Sequence, residues 1–307
     1  MSISGKIAMS ILRASSRLTQ KAGSSAIDIE KELNKSKIIN EKNTFVFPKD
    51  KKAFYNEVLV EGYPCLVIRS RKSELKKDQA ILFIYGGTTN RWKTEISIAR
   101  GYADRTGMDI WYPIYPSISE VNITKTIDVL YAVYRKMLKK YKANNVAIVG
   151  DSFGGLFATE IINWNNRSDT PVPMPRLIIA NSPGGIPDTP EDWAEMEKYA
   201  KTDYLLNVEA FRMIDKLTAH GQDTPKHALC PLYEDFRNAP ETYMYFGEEC
   251  CAGNARAYRE AFERAGCENK LHIHIEPGMM HGYSSIPVFP ESKRSYSEII
   301  RLLNNGS

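Results

Sequence analysis

The sequence predicts an α/β protein with a mostly parallel central sheet covered by helices on both faces. Three observations carry that reading. Ala80-Ile81-Leu82-Phe83-Ile84, Val146-Ala147-Ile148-Val149 and Leu177-Ile178-Ile179-Ala180 are short unbroken apolar runs, as strands buried on both faces require. Other stretches repeat apolar residues at helical spacing, such as Ile127, Leu130, Val133, Tyr134 and Met137 within 122–141. The two kinds of segment alternate along the chain, which a parallel sheet with crossover helices satisfies.

In chain order, residues 1–50 read as one or two helices and a polar connector, Asn40-Glu41-Lys42-Asn43. Ile3, Ile7 and Ile11 recur every four residues, with Lys6, Arg13, Arg17 and Lys21 around them, so 3–20 predicts an amphipathic helix. Packing against the body of the protein is the expectation for it; contact with an anionic membrane surface is the other reading. Val58-Leu59-Val60 and Cys65-Leu66-Val67-Ile68 flank Glu61-Gly62 as a hairpin. The strand 80–84 follows, then strand 109–112, helix 122–141, strand 146–149 and helix 153–164. Strands 177–180, 243–246 and 272–275 complete the series, with helices at about 252–265 and 292–304. Residues 184–240 interrupt the alternation with helix-like segments and no clear strand, which predicts a helical cap over the site. The expected organisation is a core of 51–183 and 241–307, a cap insertion of 184–240, and an N-terminal helical segment of 1–50 that joins the cap.

Composition narrows the function. The 307 residues are 43% hydrophobic and 25% charged, as in ordinary globular proteins. Set against 37 acidic residues, 41 basic ones leave a net charge of +4, with no basic patch interleaved with aromatics to suggest nucleic acid. The apolar runs are too short to span a bilayer, and the one near the N-terminus is too short and too charged for a signal peptide. Cys65, Cys230, Cys250, Cys251 and Cys267 are odd in number and form no C-x-x-C pair. They read as free thiols in a reducing, cytoplasmic compartment, and no metal or other cofactor is expected.

The chemistry centres on Gly150-Asp151-Ser152-Phe153-Gly154-Gly155, directly after one apolar run and directly before a helical stretch. That is the strand–turn–helix setting of a nucleophile elbow, in which glycines let the backbone turn sharply and lift the serine above the sheet edge. A serine nucleophile needs a base and an orienting acid, in the chain order Ser, acid, His. Of five histidines, His272 and His274 alternate along one strand face, which suits a structural role, while His220 and His227 have the polar neighbours of surface positions. His281 follows the last strand in Pro277-Gly278-Met279-Met280-His281-Gly282, where loops at strand carboxyl ends gather chemistry. It is the expected base. The acid is expected after the preceding strand, in Phe246-Gly247-Glu248-Glu249, with Glu249 preferred and Glu248 second. Asp151 cannot orient the base from beside the nucleophile, so structural hydrogen bonding near the elbow is expected of it. Donors to an oxyanion are expected from the Phe153 N–H and from the Gly86 and Gly87 amides in Tyr85-Gly86-Gly87-Thr88.

Together these segments resemble the α/β-hydrolase superfamily, and within it the hormone-sensitive-lipase-like esterases, from about residue 55 to the C-terminus. Gly150–Gly155 looks like the family's G-D-S-A-G-G elbow. Tyr112-Pro113-Ile114-Tyr115-Pro116-Ser117-Ile118-Ser119-Glu120 is similar to its Y-R-L-A-P-E segment. Asp203-Tyr204-Leu205-Leu206 and Cys230-Pro231-Leu232-Tyr233 resemble its D-P-W-L and S-P-L stretches. The chain departs from the family at Tyr85-Gly86-Gly87-Thr88, where H-G-G-G is usual, and at Cys250-Cys251, where aliphatic residues are more common. Tyr85 is expected to take over the structural support that the histidine gives, and Thr88 to narrow the approach. The resemblance implies an α/β-hydrolase fold and a serine carboxylesterase acting on a small-molecule ester of short to medium acyl chain, through Ser152, Glu249 and His281. A silent small-molecule-binding protein on the same fold, or an amidase or peptidase with the same triad, are the alternatives.

Overall fold

A computed structural model describes residues 29–87, 89–203, 205–206, 208–219 and 223–305. The helix expected at 3–20, Thr88 and His220 lie outside the described residues. The sheet opens with the expected hairpin, Phe54–Val60 (β1) and Tyr63–Arg69 (β2), turning at Glu61 and Gly62, whose φ angles are 51° and 82°. Positive φ at both turn residues matches the twist of the flanking strands. Lys76–Ile84 (β3), Met108–Pro113 (β4), Val146–Asp151 (β5), Leu177–Asn181 (β6), Glu241–Gly247 (β7) and Leu271–Glu276 (β8) complete an eight-stranded sheet. Its order is β1-β2-β4-β3-β5-β6-β7-β8. From β4 to β8 every pairing is parallel, and only β2 runs against its neighbours. Every residue of β4, β5 and β6 is buried, which is why these strands read as unbroken apolar runs.

Eight helices are described: Ile29–Lys42 (α1), Trp92–Thr106 (α2), Ile123–Met137 (α3), Phe153–Arg167 (α4), Pro190–Ala200 (α5), Val208–Ala219 (α6), Ala255–Arg264 (α7) and Pro290–Asn304 (α8). On α3 the buried stripe includes Ile127, Leu130, Val133, Tyr134 and Met137, the positions that the periodicity picks out. Its start is fixed by Asn122, whose side chain accepts the Thr124 N–H at 3.0 Å. Two differences from the sequence reading stand out. α1 runs on through Asn40, Glu41 and Lys42, expected as connector, and α2 was not anticipated as a helix.

Between β6 and β7 the described chain forms α5, α6 and two short 3₁₀ turns, Lys226–Ala228 and Pro231–Tyr233, with no strand. Thr189 caps α5 by accepting the Asp192 N–H (3.1 Å), and Asp192 in turn pairs with Arg256 on α7 (2.6 Å). The insertion is thereby anchored to the core, and α6 packs against α1. No helix among the described residues is long and apolar enough to cross a membrane.

Candidate active site

Ser152 joins β5 to α4 with φ 57° and ψ −121°. A non-glycine residue in that region costs on the order of 1–3 kcal/mol, so the surroundings must hold it there. They do so through the backbone: the Ser152 N–H donates to Asn181 O (2.8 Å), and Ser152 O accepts from Gly155 N (2.8 Å) and Gly184 N (3.1 Å). The turn is so tight that a Cβ on Gly150 would stand 2.0 Å from Gly154 O, and one on Gly154 would stand 2.1 Å from Ile84 O. Glycine at both positions is therefore a steric requirement.

Glu249 and His281 leave β7 and β8 at the same carboxyl edge of the sheet. Glu249 is fully buried and its Oε2 lies 3.1 Å from His281 Nδ1. A carboxylate only accepts, so Nδ1 carries the proton of this bond and Nε2 is left as the basic nitrogen. The same Oε2 also accepts the Cys251 N–H at 2.8 Å. Glu248 does a different job: its Oε2 accepts the Gly278 N–H (2.8 Å) and so pins the loop that carries His281. That loop is pinned again where the Gly282 N–H donates to Ser182 Oγ (2.9 Å). Asp203, in the segment between α5 and α6, accepts the Cys250 N–H (2.8 Å) and the amides of Leu205 (2.8 Å) and Leu206 (3.1 Å), tying the insertion to the acid turn. Burial disfavours the His281 imidazolium, but the Glu249 carboxylate, helped by Asp203 and Asp151, outweighs it and raises the imidazole above its ordinary value.

The glycine loop after β3 lies against the elbow; a Cβ on Gly86 would come within 2.6 Å of Asp151 O. The Gly86 N–H, expected to face an oxyanion, instead donates to Glu95 Oε2 at 3.1 Å. Glu95 sits in the first turn of α2, and burial together with the charge of Asp151 pushes its carboxyl up to about 7. Gly87 follows with φ 95°. Phe153 opens α4, and the first N–H groups of a helix have no partner within it, so that amide is available to a ligand. Tyr85 is buried and stacks on Tyr115 at 4.3 Å, with Tyr112 on its other contact at 5.4 Å. The Tyr115 hydroxyl donates to Tyr85 O. The tyrosines of the 112–120 segment thus support the glycine loop from below.

Asp151 is held in a polar network that links three loops. Its Oδ1 accepts from Asn181 Nδ2 (2.7 Å) and Ser285 Oγ (2.8 Å), and the Ser284 hydroxyl donates to Asn181 Oδ1 (2.8 Å). Burial raises the Asp151 carboxyl to about 6 against the pull of those two donors. Gly86, Gly87, Ser152, Phe153 and His281 all line one cavity of about 760 Å³. Ile98, Leu206, Phe211, Ile214, Met280 and Ile286 give it apolar walls.

Sequence reasoning missed Glu95, Ser285 and Ser182. For Glu95 the signal was an acid just after a glycine loop, concealed because α2 went unrecognised. His227, expected at the surface, is only partly exposed: its ring packs edge-on against Trp164 (5.6 Å), and its Nδ1 lies 2.9 Å from Asn163 Nδ2. His272 and His274 sit on the edge strand with Glu241 (2.9 Å) and Glu276 (3.0 Å) as partners, away from the cavity. All five cysteines are free.

A parallel sheet with a strained serine at a strand–helix turn, and an acid–histidine pair at the ends of the last two strands, defines a hydrolase-like α/β protein. Residues 82–285 match the family described as alpha/beta hydrolase fold, and the chain belongs to it. No curated protein matches the chain by sequence. Among solved structures it is similar to an esterase/lipase from an uncultured bacterium (17% identity, TM-score 0.77, covering 100% of this chain and 99% of that one). It is also similar to an esterase from the bacterial hormone-sensitive lipase family (19%, 0.77, 100% and 99%). A hormone-sensitive lipase from a metagenome library is comparable (20%, 0.76, 100% and 98%). At these identities the likeness is one of fold.

Proposed function

We propose that the chain is a serine carboxylesterase in which Ser152 is the nucleophile, His281 the base and Glu249 the orienting acid. The observation that carries the reading is the 3.1 Å contact between buried Glu249 Oε2 and Nδ1 of His281, which lines the same cavity as Ser152. Ser152 Oγ attacks the ester carbonyl while His281 Nε2 takes its proton and then delivers it to the departing alcohol. Water repeats the cycle on the acyl-enzyme, and Glu249 stabilises the imidazolium each time. Every proton moves between Ser152, His281, the alcohol and water. The developing oxyanion is held by the Gly87 and Phe153 amides. Gly86 contributes close approach rather than a donor, since Glu95 holds its N–H.

The apolar walls and the cavity of about 760 Å³ suit esters of short to medium acyl chain. One similar structure, EstE5, was soaked with p-nitrophenyl butyrate, which suggests the assay. We assign residues 184–240, together with the N-terminal segment 1–50, to a cap over the cavity; the Asp203 contacts and the packing of α6 on α1 support it. Free thiols throughout suit a cytoplasmic setting.

The test is hydrolysis of p-nitrophenyl acetate, butyrate, octanoate and laurate by the wild type and by Ser152→Ala. Turnover of the shorter esters that disappears in the variant is the expected result. Equal rates in the two proteins would refute the assignment.

A further inference from the structure

We propose that Glu249, Cys251 and His281 form a binding site for one borderline-soft divalent cation of the Zn²⁺ or Cd²⁺ kind, whose occupancy switches the triad off. The inhibitory half rests on the esterase reading above; the ligation does not.

Each of the three residues offers one ligand atom, and these atoms all lie within 4.8 Å of one another. Around Zn²⁺, bonds of about 2.0 Å to nitrogen and oxygen and 2.3 Å to sulfur set tetrahedral ligands roughly 3.3–3.7 Å apart. A small contraction of the cluster therefore completes the site. Thiolate with imidazole selects Zn²⁺ or Cd²⁺ over Mg²⁺ or Ca²⁺, which prefer oxygen. A second observation points the same way. Glu249 Oε2 is fully engaged by His281 and the Cys251 N–H, yet Glu249 Oε1 is buried with no hydrogen-bond partner among the described residues. A cation would satisfy that oxygen.

The cluster is reachable, because Cys251 and His281 line the substrate cavity. It is also specific to one of the two adjacent thiols. Cys250 Sγ turns toward Leu206 O (3.6 Å), outside the cluster. Binding breaks the Cys251 S–H bond, and when Nδ1 is the ligating nitrogen the single ring proton passes from Nδ1 to Nε2. The thiol proton passes to solvent and the cation's charge replaces it. In either mode one His281 ring nitrogen holds the metal and the other carries the proton, so the ring no longer accepts the Ser152 proton.

The experiment uses the full chain and Cd²⁺ alone as the probe. The ultraviolet thiolate-to-Cd²⁺ charge-transfer band and p-nitrophenyl butyrate hydrolysis are followed in parallel, each variant against its own metal-free rate. In the wild type the band should saturate near one equivalent while hydrolysis falls at least tenfold, both reversed by EDTA. Cys251→Ala should lose the band and raise the half-inhibiting Cd²⁺ concentration by about 100-fold, the upper range for disturbing a metal's ligand environment. Cys250→Ala should behave as the wild type. A band and inhibition that survive in Cys251→Ala would overturn the site. So would hydrolysis untouched by Cd²⁺, which would leave the esterase reading standing. A band in a protein that hydrolyses nothing when metal-free would instead overturn the inhibitory half and the esterase reading, and leave the ligation standing.

Discussion

Glu249 Oε2 receives two donors at once, the His281 ring at 3.1 Å and the Cys251 backbone N–H at 2.8 Å. The neighbouring Glu248 carboxylate bonds instead to the loop ahead of His281, through the Gly278 N–H. Two adjacent glutamates that look interchangeable in sequence are thus directed to different atoms.

That division can be measured. Glu249→Gln removes the orienting charge and should lower kcat by roughly a hundred- to ten-thousand-fold, the scale seen when a triad acid is neutralised. Glu248→Gln should cost about tenfold or less, because it disturbs only a loop anchor. Steady-state kinetics on p-nitrophenyl butyrate compare them; equal losses would contradict the assignment.

The pH profile follows from the same contact. In the proposed mechanism His281 must be neutral to act as base, and Glu249 raises its pKa, so the rate should fall on acidification with a midpoint above the ordinary histidine value. In Glu249→Gln the raising charge is gone while the lowering effect of burial remains. The acid limb should therefore move to lower pH. A limb that stays in place would show that Glu249 does not sense His281.

Glu95 predicts a second limb. Its carboxyl is pushed up to about 7, beside the glycine loop proposed to hold the oxyanion. Above that pH a negative charge sits near the developing oxyanion, so kcat/KM should decline on the alkaline side. Glu95→Gln keeps an acceptor for the Gly86 N–H and should abolish the decline. Glu95→Ala leaves that amide unpaired, at a cost of about 1–3 kcal/mol, and should lower the rate across the whole range.

A buried carboxyl pair away from the cavity affects stability. Glu160 on α4 and Glu234 are both sealed from solvent, and Glu234 has neither carboxylate oxygen hydrogen-bonded among the described residues. Burial, then the charge of Glu160, raises the Glu234 pKa well above its ordinary value. An acid with a raised folded-state pKa binds more protons folded than unfolded. Its penalty is absent at low pH and grows as pH rises above the unfolded value of 4.5. Glu234→Gln should therefore be more stable than the wild type at pH 8, by roughly 2–4 °C in Tm for each kcal/mol, and the gap should narrow at pH 5. Thermal melts at the two pH values decide it.

Gly150→Ala tests the elbow itself. The added methyl would overlap Gly154 O, and overpacking of this kind costs about 1–3 kcal/mol or more. A lowered Tm together with loss of hydrolysis is expected; a variant that melts and turns over like the wild type would contradict the turn geometry.

Much of this was legible in the sequence, and the exceptions have physical reasons. β5 and β6 are buried on both faces, so their apolar runs could be read directly. α2 buries Trp92, Ile96, Ala99, Tyr102, Ala103 and Thr106, a face made partly of small residues and interrupted nearby by Gly101, so its periodicity is faint. Glu95 was lost with it. His227 looks solvated from the polar residues beside it in the sequence, but in the fold its ring approaches the buried Glu160 to 4.0 Å. Pattern reading assigns polar residues to the surface, and a buried polar network defeats it. The same holds for Ser284 and Ser285, whose partners Asn181 and Asp151 lie more than a hundred residues away in the chain.

The most direct test of the central claim is covalent labelling of the nucleophile with diethyl p-nitrophenyl phosphate, followed by peptide mass mapping. One phosphoryl group on Ser152, with hydrolysis lost in proportion to labelling and no label in Ser152→Ala, is the predicted result. Ester hydrolysis that persists while Ser152 is fully labelled, or a label carried on another residue, would contradict the account.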